Sequence, residues 1–182
     1  MDTFVEQIVV KRKTGREIAI IAGVLAVAVI AALVLFYFLF IYSLLFDVIL
    51  GYGAWWLITN QNVEYEYSLT NGDIDIDQIT AQRKRKRVVS VAGSKIESVG
   101  LYDPAAFAGR KFDRTVMAAP SPYDEGVWYF SYRSKKNGNT LVLFQPEERV
   151  LTAFQESLPK LLQLELKRKA VAQDKTTAAS EE

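Results

Sequence analysis

The sequence predicts a membrane α-helical hairpin joined to a soluble α+β domain, with about seven antiparallel strands in a barrel or sandwich capped by a C-terminal helix. Three observations predict it. Ile18 to Thr59 is a tract of 42 nearly uninterrupted apolar positions, with no Lys or Arg and one acid, Asp47. After Asn60 the apolar residues alternate with polar ones, as in half-buried strands. From Pro146 the apolar spacing becomes helical. The expected boundaries are an amphipathic N-terminal segment over 1–16, two transmembrane helices over 17–60, the soluble domain over 61–170 and a disordered tail over 171–182.

A bilayer core of ~30 Å is crossed by ~20 helical residues. One helix over the whole tract would run ~60 Å, twice the core thickness. Two spans fit, about Ile18 to Phe38 and about Ile41 to Ile58. Phe36, Tyr37, Phe38, Phe40 and Tyr42 then mark the far interface, and Trp55 and Trp56 the near one. Lys11, Arg12, Lys13 and Arg16 precede the tract, and Arg83 to Arg87 follow it. Both basic clusters face the cytoplasm only if the number of spans is even. The expected location is therefore the cell membrane, multi-pass, with the soluble domain and both termini cytoplasmic. The rival is one long tilted helix with the domain outside.

Within the tract, Asp47 reads either as a functional intramembrane acid or, the favoured reading, as a residue near the hairpin turn that reaches interfacial water. Ala19/Gly23, Ala22/Ala26 and Ala28/Ala32, with Gly51 and Gly53 opposite, permit close helix approach. They serve packing within the hairpin or a homodimer. Ahead of the tract, Phe4, Val5, Ile8 and Val9 make a helical stripe, which predicts an interfacial amphipathic helix on the cytoplasmic leaflet. Asp2, Glu6 and Glu17 beside the bases, and the length of the tract, argue for retention rather than signal cleavage.

Composition excludes several classes. The chain has 182 residues, net charge +1, and neither Cys nor His. Disulfides, Cys/His zinc sites, thiolate nucleophiles and imidazole bases are ruled out. Balanced charge argues against nucleic acid as a partner. No clustered carboxylate or Lys site stands out, so the expectation is a non-enzyme without cofactor or metal.

In the soluble part, Val63, Tyr65, Tyr67 and Leu69 alternate with Glu64, Glu66 and Ser68. Asn71-Gly72 signals a hairpin. The return strand puts Ile74 and Ile76 inward and Asp73, Asp75 and Asp77 outward. Further strands are expected near Arg85–Val91, Lys95–Val99, Lys111–Ala118, Gly126–Arg133 and Thr140–Phe144, with Asn137-Gly138 turning between the last two. Pro146, Glu147 and Glu148 start a helix, which Pro159 kinks or divides.

Tyr67-Ser68-Leu69-Thr70, the Asn71-Gly72 turn, Ile74 to Ile79, the basic run Arg83 to Arg87 and Ile96 to Val99 together resemble the bacterial pleckstrin-homology-like (PH-like) domains that follow paired transmembrane helices. From its Met-Asp-Thr-Phe-Val-Glu-Gln opening onward, the chain is similar to an uncharacterised family of small Gram-positive membrane proteins. The resemblance implies a fold and a location, and no active-site residue.

Asp73-Ile74-Asp75-Ile76-Asp77 lacks the Gly and Glu of a calcium loop and reads as a solvated strand face. Trp128, Phe130 and Tyr132 share a strand face and read as core. Arg83, Lys84, Arg85, Lys86 and Arg87 are the candidate binding residues, for anionic headgroups or an acidic membrane-protein partner. The competing reading pairs them with Asp73, Asp75 and Asp77 across the sheet. The function expected is a membrane-anchored interaction or scaffold module. The alternative is an accessory or regulatory subunit of a transporter or channel.

Overall fold

The computed structural model describes residues 4–178, with side chains described to residue 169. Its elements are β1 (Phe4–Val10), α1 (Gly15–Thr59), β2 (Val63–Thr70), β3 (Asp73–Thr80), β4 (Lys84–Ala92), β5 (Ile96–Leu101), α2 (Pro104–Phe107), β6 (Arg114–Met117), β7 (Trp128–Ser134), β8 (Gly138–Phe144), α3 (Glu148–Ser157) and α4 (Lys160–Ala178). Two four-stranded sheets, β1-β2-β3-β4 and β5-β7-β8-β6, face each other without closing into a barrel.

The first correction concerns the N-terminus. Phe4–Val10 is a strand, not an amphipathic helix. It pairs antiparallel with β2 along its whole length, from Phe4 opposite Thr70 to Val10 opposite Glu64. Val5 and Val9 lie four apart on a helix face, but an even spacing also puts them on one strand face. Val9 enters the core and Val5 packs against it, while Phe4, Ile8 and Val10 stay exposed. Three β-branched residues in a row at 8–10 favour the strand once a partner exists. That partner lies beyond the apolar tract, so no local signal reveals it.

The second correction is in the other sheet. β6 runs parallel to β8, so the strands are not all antiparallel. The connection through α2 carries the chain from β5 at one edge to β6 at the other, where it enters in the direction of β8.

The predicted turns form for backbone reasons. Asn71 and Gly72 both take positive φ, 51° and 89°, as the twist of a tight hairpin requires. Ala81 and Gln82 do the same between β3 and β4, at 54° and 55°, with no glycine to announce it. The Ala81 amide donates to the Asn62 carbonyl (2.8 Å), which fastens this turn to the segment just after α1.

Between the sheets sit Tyr67, Ile74, Ile76 and Val89 from one side and Phe130, Val142 and Phe144 from the other. The Tyr67 hydroxyl donates to the Ala118 carbonyl (2.6 Å) and accepts from the Gln145 amide (3.2 Å). Both its polar needs are met inside the core, and burial pushes the phenol pKa up. Replacing Tyr67 by Phe orphans a buried carbonyl and amide, so the expected loss is ~1–3 kcal/mol in denaturant unfolding. On the outer face of the second sheet Leu141 and Leu143 pack beneath Phe107.

α3 closes the sandwich, and Pro159 separates it from α4 as the sequence predicts. α4 continues to Ala178, into the stretch 171–182 expected to be disordered; residues 179–182 lie outside the described ones. A single 3-10 turn at Gly93–Lys95 follows β4. A Cβ on Gly93 would come within 2.4 Å of the Ser157 carbonyl at the end of α3 and 2.9 Å of the Gly72 carbonyl. Both are backbone atoms, so relief requires moving α3 or the first hairpin. Gly93→Ala should cost ~2 kcal/mol or more, read as a lowered denaturation midpoint.

α1 begins with a capping box between Thr14 and Glu17, which satisfies two of the orphan amides. It is long and apolar enough to cross a membrane, and none of its most apolar 18-residue window (mean hydropathy 3.1) is buried in the protein. At Phe40 (φ 2°, ψ −67°) the backbone leaves helical geometry, and two helical segments meet. The chain enters α1 from β1 and leaves it into β2, where Val10 and Glu64 are direct partners. The Lys11 amide donates to the Val63 carbonyl across the same junction (2.9 Å).

Candidate functional site

The basic run falls at the start of β4, and strand geometry splits it. Asp77 pairs with Arg87, Gln78 with Lys86, Ile79 with Arg85 and Thr80 with Lys84, after a register shift between Ile76 and Asp77. Alternation sends Arg85 and Arg87 to one face of the sheet and Lys84 and Lys86 to the other.

Arg85 and Arg87 meet carboxylates. Arg87 contacts Asp77 through Nε (2.9 Å) and Asp75 through Nη1 (2.8 Å). Asp77, then Asp75, hold its guanidinium above the usual arginine range. Arg85 pairs with Glu66. Burial pushes the Glu66 carboxyl up, a hydrogen bond with Glu6 adds to this, and Arg85 pulls the other way. Two of the five predicted binding residues are therefore spent largely on neutralising carboxylates within the sheet. The acids involved are Asp75 and Asp77, as one sequence reading has it, with Glu66 in place of Asp73.

Arg83 does something different. Its Cζ lies 5.8 Å from the centroid of the Trp55 ring, near the end of α1, a cation–π contact. Lys84 and Lys86 are exposed and make no ion pair among the described residues.

The register collects further cations here. Val10 lies opposite Glu64, Val63 opposite Thr80, and Thr80 opposite Lys84. One end of the first sheet thus carries Arg83 and Lys84 together with the β1–α1 connection, which holds Lys11, Arg12 and Lys13. Lys11 is paired with Glu17 (2.6 Å), and Arg12 with Asp124 (3.0 Å). Sequence reasoning used this N-terminal cluster only as an orientation signal. Recognising β1 as a strand was what could have joined it to the β4 cations.

Elsewhere, a groove of about 580 Å³ runs between the β5–β7 edge and the C-terminal helices, lined by Gly100, Trp128, Gln155, Gln163 and Lys167 among others. Phe130 and Tyr132 are core residues, and Trp128 packs at the core's margin while lining this groove. Among the described residues no group of three or more His, Cys, Asp or Glu is placed to hold a metal ion.

A family model described as a bacterial PH-like domain, DUF6106, matches residues 1–163. The chain belongs to this family. The DUF6106 match takes in β1, the whole of α1 and both sheets, so the apolar tract is part of the family's unit and not an appendage to it. No curated protein and no solved structure matches the chain.

Proposed function

We propose that this DUF6106 protein is a two-span membrane protein whose PH-like domain is a non-enzymatic interaction module on the cytoplasmic face of the cell membrane. The break at Phe40 would be the hairpin turn. The carrying observation is the β1–β2 pairing, which brings the chain before α1 and the chain after it together, residue against residue. A single straight helix of 45 residues would separate its ends by ~68 Å. Residues from before and after Phe40, such as Leu25 and Trp55, also line one groove, as antiparallel neighbours do.

In this reading the membrane-proximal end of the first sheet is basic. Arg83, Lys84 and Lys86, with Lys13 and Arg16, would sit at the inner leaflet, each gaining ~1 kcal/mol from anionic lipid. Arg85, Arg87, Lys11 and Arg12 contribute less, because their charge is met by Glu66, Asp75, Asp77, Glu17 and Asp124. The test is lipid selectivity of the full chain in mixed phosphatidylglycerol/phosphatidylcholine vesicles, read with spin-labelled lipids. Arg83→Gln, Lys84→Gln and Lys86→Gln together should lower the preference for phosphatidylglycerol severalfold. Lys135→Gln with Lys136→Gln, in the distant β7–β8 turn, should not. Equal selectivity in all three proteins would remove the lipid role.

A second reading, an accessory subunit of another membrane protein, is favoured by one observation inside the tract, the state of Asp47.

A further inference from the structure

We infer that the groove holding Asp47 docks a transmembrane helix of a different protein, one that carries a Lys or Arg at matching depth. The inference rests on the two-span reading. Asp47 follows the break at Phe40 by seven residues, ~10 Å along the helix axis. Tyr42, an interface-marking residue, is only five positions away on the turn side. Asp47 therefore lies inside the hydrocarbon region and not at the turn, contrary to the reading that gives it interfacial water.

Its Oδ1 is buried and has no hydrogen-bond partner. The nearby hydroxyl of Ser43 is already committed, donating to the Phe40 carbonyl (2.9 Å). The tract from Ile18 to Thr59 contains no Lys, Arg or His, so no cation within the spans can pair with this acid. Acids at such depth face the interior of a bundle or a cavity and pair with another polar group.

The surroundings fit a helix as the source of that group. Asp47 lines a groove of about 400 Å³ with Ala28, Ala32, Gly51 and Ala54. Small residues on both walls let a third backbone approach closely. A second copy of this chain would bring another carboxylate against the first, so charge complementarity selects a basic helix instead.

The experiment uses the full chain in lipid vesicles with a fluorescent polyleucine–alanine helix as probe. One version carries a single Lys at matching depth, and the other Leu. Energy transfer should show the Lys helix associating about tenfold more tightly than the Leu helix. Asp47→Asn and Asp47→Leu, both compatible with a membrane span, should erase the difference, and Asp47→Glu should keep most of it. Equal association of both helices, or a preference that survives Asp47→Leu, would overturn the inference. Asp47-dependent self-association without Lys preference would overturn it in favour of a second copy. Thiol labelling of Tyr37→Cys and Lys136→Cys in the same vesicles reads the two-span premise separately. Opposite sides without Lys preference sink the docking alone; any other sidedness sinks both.

Discussion

Phe154→Ala should remove ~3–5 kcal/mol of folding stability, the largest loss expected from any single side chain here. Phe154 is fully buried on α3. Its ring centroid lies 5.1 Å from that of Phe144 and 5.5 Å from that of Phe130. Phe144 in turn meets Tyr67 of the opposite sheet at 5.8 Å. One side chain thus ties the helix to the second sheet directly and to the first through a single neighbour. The hole left by Ala cannot collapse easily, because the strands around it are fixed by their ladders and α3 by Gly93 beneath its end. A typical domain has 5–15 kcal/mol in total, so the variant sits near its unfolding threshold. Urea unfolding followed by tryptophan fluorescence, with Trp55 and Trp56 replaced by Phe so that Trp128 alone reports, measures the loss. A change below ~1 kcal/mol would mean that α3 is an ornament on a self-sufficient sandwich.

Deleting residues 1–10 should abolish cooperative folding, although every residue of the segment 61–170 remains. The deletion strips Val9 from the core, a side chain of a type worth ~1.5–3 kcal/mol when fully buried, and Val5 from its margin. It leaves β2 as an unpaired edge. It also removes Gln7, which donates to the Gln145 carbonyl (3.2 Å) and accepts from the Glu147 amide (2.8 Å) at the entrance to α3. The converse variant should fold. Replacing residues 12–62 by a short Asn-Gly turn joins β1 to β2 as a hairpin, since Lys11 and Val63 are already hydrogen-bonded neighbours. That protein is expected to be water-soluble with a sigmoidal urea transition. Circular dichroism and denaturation of the two variants decide the matter. A folded deletion, or an unfolded hairpin fusion, would show that β1 is not integral to the domain.

What was legible in the sequence had local causes. The strands β2 and β3 were readable because Tyr65, Tyr67, Leu69, Ile74 and Ile76 alternate with polar residues and Asn71-Gly72 forces the turn. The division of the last helix was readable because Pro159 cannot continue it. β1 was not readable, because a strand of seven residues needs its partner to exist, and α1 stands between them. The parallel placement of β6 was equally hidden, being set by where a long connection lands. The turn at Ala81-Gln82 carries no glycine, and Gly93 owes its role to Ser157, far along the chain. At the candidate site the run of five bases was plain. Its partition was not, because which bases meet Glu66, Asp75 and Asp77 depends on a register shift no periodicity reveals. Arg83 against Trp55 required knowing that the β3–β4 turn returns to the end of α1.

The central claim is that α1 crosses the membrane twice, and sidedness tests it most directly. The chain has no cysteine, so single thiols at Tyr37, beside the break, and at Lys136, in the β7–β8 turn, report without background. Intact cells and inverted vesicles are treated with a membrane-impermeant maleimide. Two spans predict that Tyr37→Cys labels only from outside the cell and Lys136→Cys only from the cytoplasm. A Tyr37 thiol shielded from both sides, or labelled from the same side as Lys136, would contradict the account.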